Sequence, residues 1–130
     1  MSGHIVIIDD HPINLKLASE VLIGAGYSIA GAVDAEQAQR LLAGCVPDLI
    51  LMDIALPGMD GLCLTRLIKA DARLSRVPVI ALTAYAMQGD DQRAADAGCD
   101  GYITKPIDTR RFAQQISTIL DAARSRPPTQ

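Results

Sequence analysis

Five short runs of β-branched and aliphatic residues, none with a clean polar face, constrain this 130-residue chain more than any other feature. They are Ile5–Ile8, Ser28–Gly31, Leu49–Met52, Val79–Leu82 and Gly101–Ile103. A strand with one wet face alternates polar and apolar residues, whereas a strand covered on both faces does not. The runs therefore predict parallel strands buried between two layers. The intervening stretches carry helical spacing. The first begins at His11-Pro12, with proline near the first helical position, shows Leu15, Ala18, Val21, Leu22 and Ala25, and stops at Gly26. The second starts at Asp34, where Gln37 completes a capping-box pattern, and runs through Ala38, Leu41 and Leu42 to Gly44. The third follows Asp60-Gly61 and places Leu64, Leu67 and Ile68 on one face; the fourth covers Gln88–Ala97 before Gly98; the fifth starts near Asp108 and shows Phe112, Ile116, Ile119 and Leu120. Strand then helix, five times over, with right-handed crossovers, predicts a doubly wound α/β sandwich, (βα)5. Residues 1–123 read as one domain, and 124–130, with Pro127-Pro128, as a flexible tail or the start of a linker.

Composition excludes several classes of function. Twelve basic and 15 acidic residues leave a net charge of −3 and a pI near 5.2. That balance argues against a nucleic-acid-binding domain driven by phosphate contacts. With no Trp and one Phe, a stacking platform for bases is nearly excluded and the core must be aliphatic. No apolar run approaches the roughly 18 residues that span a bilayer. Ile5–Ile8 is too short for a signal peptide and ends in two carboxylates. Cys45, Cys63 and Cys99 form neither a disulfide framework nor a CxxC pair, and read as reduced thiols. The expectation is a soluble, cytoplasmic, single-domain protein without a membrane segment.

In an open parallel sheet, ligands bind beyond the carboxyl ends of the strands. Four of the five predicted strands deliver polar groups there: Asp9-Asp10, Asp53, Thr83 and Lys105. Asp53 stands out, because it interrupts Leu49-Ile50-Leu51-Met52 and Ile54-Ala55-Leu56, and a carboxylate among apolar neighbours is costly to bury unless something uses it. Taken singly, each residue has a plainer role: Asp53 as a turn cap, Asp9-Asp10 as caps for the next helix, Thr83 as a turn hydroxyl and Lys105 as a solvated cation. Together they share one rim. Two like charges ~4 Å apart at an effective dielectric of ~20 cost on the order of 4 kcal/mol, and a hard divalent cation removes that penalty. An acid nucleophile, a Mg²⁺ site, a lysine and a hydroxyl suit phosphoryl transfer.

Four segments carry a family resemblance. Ile7-Ile8-Asp9-Asp10, Leu51-Met52-Asp53-Ile54-Ala55-Leu56-Pro57-Gly58-Met59-Asp60-Gly61, Ala81-Leu82-Thr83-Ala84 and Thr104-Lys105-Pro106 resemble, in order and spacing, the receiver domain of two-component response regulators, the CheY-like family. The resemblance covers residues 4–122 and implies a flavodoxin-like fold with strand order 2-1-3-4-5. It implies that Asp53 accepts a phosphoryl group from a histidine kinase or histidine phosphotransfer protein, without the domain being a turnover enzyme. Asp9, Asp10, Asp53 and the backbone carbonyl of Ala55 would hold Mg²⁺; Lys105 would pair with the phosphoryl group and Thr83 would move to bond it. Tyr102 matches the aromatic switch, and the Lys105-Pro106 bond is expected to be cis. A downstream protein would dock on the fourth helix, fifth strand and fifth helix, across Gln88–Ala97, Tyr102 and Arg110–Gln115. The resemblance also allows a homodimer.

Positions that vary in the family refine this picture. Ala55 is too small to orient a hydrolytic water and Tyr85 is bulky enough to shield a phosphoryl group, which predicts a long-lived aspartyl phosphate. His11, where Asn or Asp is frequent, is read as the start of the first helix rather than as a metal ligand. The strings Ala84–Asp90 and Gly98–Ile103 look like those of stand-alone single-domain regulators, and receivers fused to hybrid histidine kinases share similar ones. A stand-alone regulator and a fragment of a larger regulator therefore both stay open. A phosphatase with an aspartyl intermediate fits poorly, since positions 11 and 55 are His and Ala rather than a second acid. A flavin site fits poorly too, since Asp9-Asp10-His11-Pro12 is not a phosphate loop. A phosphate-independent docking scaffold is disfavoured by the presence of all five rim residues.

Overall fold

A computed structural model describes residues 3–54, 61–83, 90–104 and 107–124. Its elements run β1 (His4–Ile8), α1 (Pro12–Gly24), β2 (Ser28–Ala32), α2 (Ala35–Gly44), β3 (Leu49–Asp53), α3 (Gly61–Ala70), β4 (Val79–Thr83), α4 (Asp90–Ala97), β5 (Gly101–Thr104) and α5 (Phe112–Arg124). All pairings are parallel and the strand order is β2-β1-β3-β4-β5.

Burial of both sheet faces explains the runs that lack alternation. Ile5, Val6, Ile7 and Ile8 are all fully buried, as are Leu49 to Met52. Ile5, Ile7, Leu49, Leu51, Ile80 and Leu82 meet Ala18 and Leu22 of α1 and Phe112, Ile116 and Leu120 of α5. Val6, Ile8, Ile50, Met52 and Val79 point the other way, onto Ala38 and Leu42 of α2 and Leu64 and Ile68 of α3. α4 joins that second layer through Ala94 and Ala97, which pack with Ala81 and Leu62. β2 and β5, at the sheet edges, are the least buried strands, so they tolerate Ser28, Gly31 and Gly101.

Element ends depart from the predicted ones for local reasons. α1 closes at Gly24, and Gly26, at φ 103°, follows it as the left-handed residue that turns the chain toward β2. α2 has the expected Asp34 cap, whose side chain accepts from the Gln37 backbone N–H at 2.8 Å. The return bond of Gln37 Oε1, however, is accepted from Val33 N at 3.1 Å rather than from Asp34. α5 starts at Phe112, not at Asp108: the Asp108 carboxylate accepts from Arg110 N at 3.0 Å and forms a local turn that precedes the helix. α5 also continues through Arg124, one residue into the stretch read as a tail. Residues 125–130, and residues 88 and 89 of the predicted fourth helix, lie outside the described residues.

At the amino end of the sheet, a polar clamp joins three elements. Lys69 Nζ of α3 donates to Val77 O at 2.8 Å and to Asp100 Oδ2 at 2.9 Å. The same Asp100 oxygen accepts from Val79 N at 2.9 Å. Beside it, burial pushes the Cys99 thiol pKa up, so this sulfur packs as an apolar group. Asp100→Ala removes the shared acceptor from two donors and is expected to cost about 1–3 kcal/mol, whereas Asp100→Asn, which keeps an oxygen for Val79 N, costs less; urea denaturation of both variants measures the difference.

Candidate functional site

The sheet topology brings three carboxylates together. Asp9 directly follows β1, and its backbone N–H donates to Ala32 O at 3.0 Å, extending the β1–β2 ladder by one bond. Asp53 is the last residue of the neighbouring β3. The β1–β3 register pairs Ile8 with Met52, so the two chain ends emerge side by side. Asp9 is 1% exposed and Asp53 4% exposed, while Asp10 is partly open. Ligand atoms of Asp9, Asp10, His11 and Asp53 all lie within 4.8 Å of one another.

Local bonding shapes this cluster. Asp9 Oδ1 accepts from the His11 backbone N–H at 2.9 Å, a local turn before α1 rather than the helix cap considered for the acidic pair, because His11 is itself the N-cap residue. His11 occupies the N-cap position of α1 without a side-chain cap bond. Its ring instead turns to the acids, with Nδ1 3.0 Å from Asp10 Oδ1 and 3.4 Å from Asp9 Oδ1. Asp10 Oδ1 is closed off from solvent and accepts no hydrogen bond. A buried oxygen without a donor, inside a group of three carboxylates, fits a hard divalent cation, which prefers oxygen ligands and neutralises their repulsion.

Gly61 sets the floor of the site. An added Cβ there would press on the Asp53 carbonyl oxygen and come 2.9 Å from Ile54 Cα, so only glycine lets α3 begin this close to the end of β3. The Gly61 N–H donates to Ile54 O at 2.8 Å and closes that approach. The sequence marks Gly61 as a helix start, but its contact with β3 is a tertiary feature.

The other rim residues are placed in part. Thr83 ends β4, paired in register with Thr104 of β5, so its backbone reaches the same end of the sheet as Asp53. Tyr102, in the middle of β5, is 45% exposed. Ala55, Tyr85, Lys105 and Pro106, including the expected cis bond, lie outside the described residues. The cavity between α2 and α3, about 210 Å³ and lined by Leu42, Leu64, Ile68 and Arg73 among others, involves none of the acidic cluster.

Residues 5–117 match the response regulator receiver domain family. The chain belongs to that family. It is 40% identical over 123 residues to the polar-differentiation response regulator DivK of Brucella ovis, covering 95% of this chain and 100% of DivK. Among solved structures, the signal receiver domain of a signal transduction histidine kinase from Syntrophus aciditrophicus superposes with a TM-score of 0.85 at 30% identity, over 98% of this chain and 97% of that one. A CheY-like response regulator receiver domain protein from Methanospirillum hungatei gives 0.86 at 27% identity, over 95% and 98%. The expected receiver family, its two-component setting and its 2-1-3-4-5 sheet are thus the observed ones. No described helix is long and apolar enough to cross a membrane.

Asp10→Asn removes one of the crowded charges. Without divalent cations it is expected to unfold at a higher temperature than the wild type, a relief of about 1 kcal/mol corresponding to about 4 °C for a domain of this size. Mg²⁺ should raise the wild-type midpoint and leave that of Asp10→Asn nearly unchanged; calorimetric scans with and without the metal measure both effects.

Proposed function

We propose that this receiver domain accepts a phosphoryl group on Asp53 and passes the signal on by protein contact. The observation that carries the reading is the Asp53 carboxylate at the end of an otherwise apolar central strand, within 4.8 Å of the Asp9 and Asp10 oxygens. A histidine kinase or histidine phosphotransfer protein is the proposed donor. An Asp53 oxygen attacks phosphorus, the P–N bond to the donor histidine breaks, and the imidazole leaves with a proton. Asp9, Asp10, Asp53 and the Ala55 carbonyl would hold Mg²⁺, which when bound supplies positive charge against the phosphoryl oxygens. Lys105 is assigned a second positive charge, and Thr83 a hydrogen bond to the modified aspartate.

The modification adds about −1.5 to −2 charge at the rim. Its proposed readout is the surface of α4, β5 and α5, where the exposed Tyr102 would turn inward as Thr83 moves. Arg93 and Asp96 of α4 and Arg110 and Arg111 just before α5 are exposed and would offer polar contacts to a partner. The stand-alone arrangement belongs to the same proposal and is supported by the match along the whole length of DivK. The 30% identity to a receiver from a histidine kinase favours, as a second reading, a receiver carried within a larger kinase.

Intact-mass analysis after incubation with acetyl phosphate and Mg²⁺ should show one added phosphoryl group, absent from Asp53→Ala and absent when the metal is chelated. Unmodified wild-type protein removes the proposal. With Ala55 and Tyr85 in place, the phosphoryl group should decay over minutes or longer after the donor is removed; decay within seconds, followed by the same mass measurement, contradicts the assigned shielding.

A further inference from the structure

His11 has a geometry that helix initiation does not require. It follows the acidic pair on an extended backbone, φ −94° and ψ 108°, held by the bond from its N–H to Asp9 Oδ1. From there its imidazole lies over the acidic cluster rather than capping α1 or facing away. Nδ1 approaches Asp10 Oδ1 to 3.0 Å, yet that oxygen accepts no hydrogen bond. A protonated ring would pair with Asp10 here; a neutral ring presents Nδ1 to the same group of carboxylate oxygens, all within 4.8 Å. In an octahedral sphere with metal–donor distances near 2.1 Å, adjacent donors are about 3.0 Å apart, and the ring nitrogen sits at 3.0 Å and 3.4 Å from the two nearest carboxylate oxygens. The His11 side chain is 63% exposed, so the ring can adjust to a metal without disturbing the core.

We propose that His11 is a nitrogen ligand of the metal held by Asp9, Asp10 and Asp53, and that it shifts the preference of this site from Mg²⁺ toward transition-series divalent cations. The chemistry follows from the donor set. Mg²⁺ gains little from imidazole, whereas Co²⁺, Ni²⁺ and Zn²⁺ bind it well, and affinity at a mixed nitrogen–oxygen site rises along the divalent series from Mn²⁺ to Cu²⁺. A neutral ring would bind through Nδ1 and keep its Nε2 proton toward solvent. An oxygen-donating Asn in the same place would build a hard, all-oxygen site. The proposal rests on the acidic cluster being a metal site, as the proposed function also does, but it is independent of any phosphoryl transfer.

Metal titration and spectroscopy of the full chain test it. The wild type, His11→Asn and the distant His4→Asn are titrated calorimetrically with Mg²⁺ and with Co²⁺, and pulsed electron paramagnetic resonance is recorded on each protein with one equivalent of Mn²⁺. Nitrogen coupling from a directly bound imidazole is expected in the wild type and in His4→Asn, and should vanish in His11→Asn. The ratio of Co²⁺ to Mg²⁺ affinity should fall about tenfold or more in His11→Asn. Absence of nitrogen coupling in the wild type overturns the proposal, as does an unchanged affinity ratio in His11→Asn. Acetyl phosphate labelling of the same samples keeps the two readings apart. Phosphoryl uptake without nitrogen coupling removes the ligand role of His11 alone. Nitrogen coupling in a protein that takes up no phosphoryl group supports the ligand and removes the phosphoacceptor reading.

Discussion

Three carboxylates crowded at one end of an apolar sheet repel one another, and the packing of the domain holds them there. Asp9 and Asp53 are almost fully buried at the ends of adjacent strands, and Asp10 and His11 complete the cluster from the start of α1. Asp10, partly open to solvent and beside the His11 ring, adds on the order of only 1 kcal/mol of repulsion, and the two buried carboxylates repel each other more. A fold that is stable by only about 5–15 kcal/mol keeps such a cluster because burial of both sheet faces outweighs it. The same repulsion favours positive charge at this rim.

The two layers carry unequal duties. α1 and α5 cover one face with the large side chains Leu22, Phe112, Ile116 and Leu120. The opposite face brings α3 against the end of β3 through Gly61, so a shift of α3 is felt at the backbone of Asp53. The Lys69–Asp100 clamp joins α3, β4 and β5 at the far end of the sheet. The carboxyl ends of β4 and β5, where Thr83 and Thr104 stand in register, lie at the opposite end of the sheet from this clamp.

Much of this was legible in the residues. The five strands could be placed because short, mostly β-branched or aliphatic runs alternate with longer helical stretches, and each observed strand contains its predicted run. Asp53 was legible because it breaks an apolar run. Other features were hidden in local bonding. The α5 start moved to Phe112 because the Asp108 side chain, which looks like a helix cap, bonds Arg110 N in a turn. Gly61 looked like a simple start signal, although what demands glycine there is the Asp53 carbonyl of another element. His11 looked like a helix start, and nothing in a linear pattern says which way its ring turns.

The sequence by itself determined the architecture, the order of the elements and the identity of the acidic residues, because strand burial and helical periodicity are local patterns written along the chain. Tertiary structure alone decided that Asp9, Asp10, His11 and Asp53 converge within 4.8 Å, that Asp10 keeps a buried oxygen without a donor, and that the His11 ring faces the acids. Residues 9 and 53 are far apart in the chain, and their distance is set by the register of β1 on β3. Parallel pairing is what turns two separate carboxylates into one site.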